Sequence, residues 1–265
     1  MRAMIFLIGL MLGQPVWACG PDTDCMVGAR TYRLYVPADA GDGPMGAILF
    51  AHGYKGTADG QMRNNALRAL GDDLGIALVA LDAGADDWKL AHTPQQPDAT
   101  VPAEQGYVEA VLTDLATRVT LDPAKTVLAG FSAGGMMTWA MACEMSGSFA
   151  GFVPLSGTFW APEPETCASP PTNIVHIHGT KDDIVPLAGR AIGPTRQGDV
   201  SKVLAMYAGY GGYLATETVA APEGMTCARS ANAAGKILEF CTFDGGHDAS
   251  AKRLRYGYER VTGTR

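Results

Sequence analysis

The chain has 265 residues, 47% of them hydrophobic, and a formal net charge of −7. A chain of this size and composition can bury a large core as one domain. The acidic balance, with no basic block, argues against nucleic acid or an anionic membrane surface as a partner. The nearest basic stretch, "KRLRYGYER", alternates charges with aromatics and reads as the solvated face of a last helix.

At the N-terminus Arg2 precedes an apolar stretch over 4–12, then Gly13, Pro15 and "VWA". This is the order of a secretory leader, and it predicts a signal peptide over 1–18 and a mature domain over 19–265. The apolar run is shorter than the roughly 20 residues a bilayer span needs. No later segment is long and apolar enough, so no stable membrane insertion is expected after cleavage. All six cysteines lie at or beyond the predicted cut. An even set in an exported chain predicts disulfides, whose connectivity the sequence leaves open. Nearest-neighbour pairing is expected: Cys19–Cys25, Cys143–Cys167 and Cys227–Cys241. A lipid on Cys19 would strand one cysteine, and bulky Trp17 sits badly in a lipid-attachment signal.

"RTYRLYVP" alternates as a half-exposed strand, and "MGAILFA" reads as a buried one. "QMRNNALRALGDDLG" has helical periodicity with a terminal glycine, and "IALVAL" is a further buried strand. A loop holding Trp88, Pro94 and Pro97 leads to a helix in "QGYVEAVLTDLATRV". "KTVLAG" is a strand and "GGMMTWAMAC" a helix. "GFVPLSG" and "NIVHIHG" are short apolar strands. A helix in "DVSKVLAMYAGY" precedes the strand "KILEFCTF", and a final helix is expected after His247. Short apolar strands alternating with helices predict an α/β fold, a mostly parallel doubly wound sheet in one domain. Ligands of such sheets meet the loops at the carboxyl ends of the strands.

"GFSAG", residues 130–134, places Ser132 between a predicted strand and a predicted helix. A serine at such a turn is strained, with its hydroxyl projecting above the sheet at a helix N-terminus that favours developing negative charge. A nucleophilic serine needs a base, and the base an orienting group. "HIHGTKDDIVP" supplies Asp182 and Asp183 just after a strand, and "FDGGHDAS" supplies His247 after the last strand. Of the five histidines, only His247 lies downstream of both carboxylates. His176 and His178 share one strand face but lack a third ligand at a convincing spacing, so no metal site is expected. His178 is instead expected to support the acid-bearing loop through a hydrogen bond. His52 lies in "FAHGYKG", where a glycine-containing loop can turn a backbone N–H toward the serine. The N–H groups of Tyr54 and Ala133 are the candidate oxyanion donors.

In this order "RTYRLYVP", "FAHGYKGTA", "VLAGFSAGGMM", "HGTKDDIVP" and "GGH" resemble secreted polyhydroxybutyrate depolymerase-like and feruloyl-esterase-like α/β-hydrolases, over nearly the whole mature chain. The resemblance implies an α/β-hydrolase fold and a serine esterase, with Ser132 as nucleophile and His247 as base. It also implies Asp182 as acid, because the family acid opens a D-x-x-V-P stretch; adjacent Asp183 is not excluded by spacing. No cofactor is implied. The expected partner is a small-molecule or oligomeric ester, in the periplasm or outside the cell. The Trp-Pro pair that the family often carries after the histidine is absent, which leaves the pocket rim and the substrate open. The chain ends soon after His247, so soluble esters such as hydroxyalkanoate oligomers are expected rather than crystalline polymer. Feruloyl or acetyl esters of plant polysaccharides are the alternative. Trp88 and Trp160, in loops after predicted strands, are candidate walls for the substrate, whereas Trp139 reads as core. A catalytically silent binding protein would lack a triad member, and none is missing.

Overall fold

The computed structural model describes residues 19–41, 43–95 and 102–264; the expected leader over 1–18 lies outside the described residues. In chain order the strands are β1 (Cys25–Val27), β2 (Arg30–Tyr35), β3 (Met45–Ala51), β4 (Ala77–Leu81), β5 (Leu121–Phe131) and β6 (Gly151–Leu155). They continue with β7 (Ile174–Gly179), β8 (Ala191–Ile192), β9 (Thr195–Arg196), β10 (Glu217–Val219), β11 (Met225–Ala231) and β12 (Ile237–Phe243). The α-helices are α1 (Ala58–Met62), α2 (Asn65–Leu74), α3 (Pro102–Leu115), α4 (Ala133–Glu144), α5 (Val200–Gly211) and α6 (Ala251–Thr262).

Ten strands form one sheet in the order β1-β2-β4-β3-β5-β6-β7-β12-β11-β10, and β8 and β9 form a small hairpin. The six central strands from β4 to β12 are parallel, with antiparallel edges on both sides. Buried strands of this kind divide their side chains between two cores, because successive side chains point to opposite faces. Ala47, Leu49 and Ala51 of β3 pack with α3, α4 and α5. Ile48 and Phe50 pack on the other face with α2 and α6. Helix α4 is buried over every residue except Glu144, in keeping with a sequence that is apolar all round.

The chain steps from β3 outward to β4, then returns to the other side of β3 to lay down β5. The direction of winding therefore reverses between β3 and β5. That crevice at the carboxyl ends of the strands is where doubly wound sheets bind ligands.

The helical stretch expected over 61–75 is two helices. Asn64 leaves the helical conformation (φ −75°, ψ 99°), and its side chain accepts from the N–H groups of Ala66 and Leu67, capping α2. Such a cap stabilises a helix start by about 1 kcal/mol. Strands β10 and β11 extend the sheet where no strand was expected. Their exposed, polar residues lack the apolar run of a central strand.

The six cysteines pair as Cys19–Cys25, Cys143–Cys167 and Cys227–Cys241. Cys227 and Cys241 face one another across β11 and β12, and Cys143 at the end of α4 holds the loop after β6. Replacing Cys143 and Cys167 with serine should lower the unfolding free energy by about 3 kcal/mol on the loop-entropy account. Urea titration of the double variant beside the unaltered protein measures the difference.

Candidate active site

Strand β5 ends at Phe131, and the chain must turn at once into α4. Ser132 makes the turn with φ 59° and ψ −120°, a left-handed conformation that costs a non-glycine residue on the order of 1–3 kcal/mol. Its N–H donates to the Leu155 carbonyl of β6 at 2.9 Å, and its carbonyl accepts from Met136 N–H at 3.0 Å. The backbone is thereby held between strand and helix. Serine at a helix start usually caps it through its hydroxyl, as Ser250 does for α6. The Ser132 hydroxyl does not, so it is left for other work.

Helix α4 can start there only because it lies hard against the end of β3. A methyl group on Gly134 would collide with the carbonyl oxygens of Ala51 and His52. The loop after β3 also passes close to the turn: a β-carbon on Gly53 would sit 3.3 Å from the Ser132 β-carbon. Tyr54 follows, and neither its N–H nor that of Ala133 has a hydrogen-bond acceptor among the described residues.

His247 and Asp182 come from the loops after β12 and β7, which are parallel neighbours. Thr180 N–H donates to the Phe243 carbonyl and Lys181 N–H to the Gly245 carbonyl, tying the two loops together. His247 Nδ1 lies 2.8 Å from Asp182 Oδ2. A carboxylate only accepts, so Nδ1 carries the proton and Nε2 is the basic nitrogen. The imidazole packs against the Phe131 ring at 4.7 Å between centroids, which places it beside the turn at Ser132.

Asp182 is buried and Asp183 is exposed, which separates the two carboxylates that spacing left open. Asp182 Oδ1 accepts from Ile184 N–H at 3.0 Å and Val185 N–H at 2.8 Å. Oδ2 faces His247, with His178 Nε2 3.4 Å away. Burial opposes the charge, but the hydrogen bonds from His178, His247 and Val185 outweigh it and hold this carboxyl well below the usual carboxylate range.

His178 does more than the expected single bond. Its Nε2 donates to the Val185 carbonyl at 2.8 Å, and its Nδ1 lies 2.9 Å from His176 Nε2. His176 Nδ1 accepts from Trp139 Nε1–H at 2.9 Å. Indole only donates and a carbonyl only accepts, so the polarity is fixed and both imidazoles carry their proton on Nε2. All four nitrogens are committed, and neither ring offers a lone pair to a metal. Both rings are buried, and burial drives His176 well below the ordinary imidazole value. Sequence reading placed Trp139 in the core, where it is, but missed the chain that it starts. Two histidines on one strand face were the available signal.

Trp88 corrects an expectation. It is wholly buried, so it cannot wall a substrate. Its Nε1–H donates to the His52 carbonyl at 2.8 Å, and its ring packs at 4.9 Å from the His52 ring. Trp160 is partly exposed and, with Phe159, Met136 and Leu90, lines a cavity of about 300 Å³. A second cavity of about 250 Å³ reaches His247 itself, over Phe50, Phe131 and Leu155 with Gln61 at its side. Nothing in the sequence singled out those wall residues, because they are scattered over four elements and carry no motif.

The reversal of winding, with the strained Ser132 turn and the carboxylate-bound His247 at the strand ends, gives the chain an α/β-hydrolase fold. Residues 84–193, which hold Ser132 and Asp182 but end before His247, match the family model described as Phospholipase/Carboxylesterase. This match spans less than half of the chain. It is 30% identical over 167 residues to NocK of Nocardia uniformis subsp. tsuyamanensis, whose name describes it as an esterase; the match covers 62% of this chain and 48% of NocK. It is 27% identical to the bifunctional acetylxylan esterase/xylanase XynS20E of Neocallimastix patriciarum, over 59% of this chain and 22% of that protein. The chain thus spans half or less of the length of these relatives. The acetyl xylan esterase from Aspergillus awamori has the same fold at 15% identity, with a TM-score of 0.63 over 94% of this chain and 97% of that one.

The charge on Asp182 adds stability that is complete above about pH 4, the unfolded value of an aspartate, and fades as the pH falls toward its lower folded value. The stability gap between the unaltered protein and Asp182→Asn should therefore be constant from about pH 5 upward and narrow below about pH 4. Urea unfolding across this range measures the gap.

Proposed function

We propose that this protein is a secreted serine esterase that cleaves short-chain carboxylic esters through an acyl-enzyme. The observation that carries the reading is the convergence of an uncapped, strained Ser132 with a His247 imidazole held by a buried carboxylate. Ser132 Oγ attacks the ester carbonyl carbon while His247 Nε2 takes its proton, and Asp182 steadies the imidazolium. The N–H groups of Tyr54 and Ala133 receive the oxyanion, each donor being worth about 2.7–4 kcal/mol in such sites. His247 then returns the proton to the leaving alcohol. Water repeats the sequence on the acyl-enzyme and releases the acid.

Both cavities lie at or below the lower end of the range for small-molecule pockets, which favours a short acyl group. Hydroxyalkanoate oligomers fit this description. A second reading, acetyl or feruloyl esters of plant polysaccharides, is favoured by the named activity of the acetylxylan esterase relative and by Trp160, whose ring could face a sugar or phenolic group. Three disulfides and the leader-like N-terminus support export into an oxidising compartment.

Hydrolysis of p-nitrophenyl acetate and butyrate by the oxidised protein should be lost in Ser132→Ala without loss of folding. Equal turnover by both proteins would refute the nucleophile. Comparison of 3-hydroxybutyrate oligomers, acetylated xylan and methyl ferulate as substrates then decides between the two readings.

A further inference from the structure

Helix α4 carries more than the serine turn. Met136, Ala140 and Glu144 recur at every fourth residue, so they share one face of the helix, and that face floors the cavity of about 300 Å³. The floor runs roughly 12 Å along the helix, from Met136, whose N–H bonds the Ser132 carbonyl, to the last helical residue. Phe159 and Trp160 wall it from the loop after β6. His247 does not line this cavity, whereas it does line the second one. The leaving alcohol must meet His247, so the cavity along α4 is left to the acyl half of an ester.

Glu144 and Glu163 also line it, and both are partly buried. The chain from Glu163 runs on to Cys167, which is bonded to Cys143 beside Glu144, so the loop draws Glu163 toward the end of α4. No lysine or arginine lines the cavity, and neither carboxylate forms an ion pair among the described residues. Glu163 accepts a hydrogen bond from Asp199 N–H at 2.9 Å. Glu144 closes the last turn of α4, where the helix dipole is negative and favours cations. The remaining titratable group of the lining, His92, is exposed.

Partly desolvated carboxylates at the negative end of a helix are costly without a cation nearby. A neutral acyl chain would leave that cost standing. The faces of indole and benzene rings attract cations as well, most strongly where water is excluded. Aromatic walls and acidic end therefore call for one chemistry. Resting on the esterase reading, we infer that this cavity binds an organic cation and that the favoured acyl group ends in an ammonium.

The test compares two p-nitrophenyl esters of the same shape: the 6-(trimethylammonio)hexanoate, and the 7,7-dimethyloctanoate, in which carbon replaces the nitrogen. The cationic ester should have a kcat/KM about tenfold higher at low salt, and the preference should shrink in about 0.5 M sodium chloride. The double variant Glu144→Gln with Glu163→Gln, whose new amide oxygen can still accept from Asp199, should lose most of the preference, and Trp160→Leu part of it. Calorimetry should show hexyltrimethylammonium binding to the unaltered protein, a readout that needs neither turnover nor a variant. Equal kcat/KM for the two esters, a preference that survives in the double variant, or hydrolysis of p-nitrophenyl acetate but of neither test ester would overturn the inference and leave the esterase reading standing. Failure to hydrolyse p-nitrophenyl acetate as well would bring down the esterase reading. The calorimetry then judges the cation site by itself, and absence of binding overturns it.

Discussion

The arrangement depends on how closely helix α4 approaches the end of strand β3, where the carbonyl oxygens of Ala51 and His52 leave no room for a side chain on Gly134. That approach fixes where the helix begins, and the chain leaving β5 has one residue in which to reach it. Ser132 accepts a left-handed backbone as a result. The cost of a few kcal/mol at most is offset by the burial of α4, all but Glu144, against the sheet and by backbone bonds to Leu155 and Met136. Strain at the serine is thus a consequence of close packing.

The same crevice gathers its other groups from strand neighbours rather than sequence neighbours. Asp182 follows β7 and His247 follows β12, and these strands pair in parallel register, with Thr242 beside His178 and Phe243 beside Gly179. Their loops leave the sheet at the same height and can exchange backbone hydrogen bonds. On the far side of Ser132 the loops after β3 and β4 are joined in the same way through His52, Ala83 and Trp88. The winding reversal between β3 and β5 leaves a gap into which all four loops lean.

Buried imidazoles and one partly exposed imidazole divide the work by solvation. His52, His176 and His178 are removed from water, and each has its two ring nitrogens bound to fixed partners. They act as spacers of set polarity. His247 keeps part of its side chain exposed and commits Nδ1 to Asp182. The chain from Trp139 through His176 and His178 links the serine helix to the acid loop, which ties the orientation of the carboxylate to the seating of α4.

The sequence alone determined the central strands, because runs such as "AILFA" and "ALVAL" are apolar on both faces, as a covered parallel strand must be. It also marked the serine turn and the order of Asp182 and His247; the nearest-neighbour cysteine pairing was an expectation among connectivities it left open, and the structure has that pairing. It misread what depends on contacts between distant segments. The helix over 61–75 broke because the Asn64 side chain prefers to cap, a choice that hydrophobic periodicity does not record. Strands β10 and β11 exist by pairing onto β12, and their own residues are too polar to announce them. Trp88 looked available in its loop, yet tertiary folding put it behind the loop after β3 as a buried donor. Only tertiary structure chose Asp182 over Asp183, since burial and four donors converge on one carboxylate and leave its neighbour in water. A local pattern reports the chain's own preferences, whereas solvation and hydrogen-bond partners are set by residues that meet only after folding.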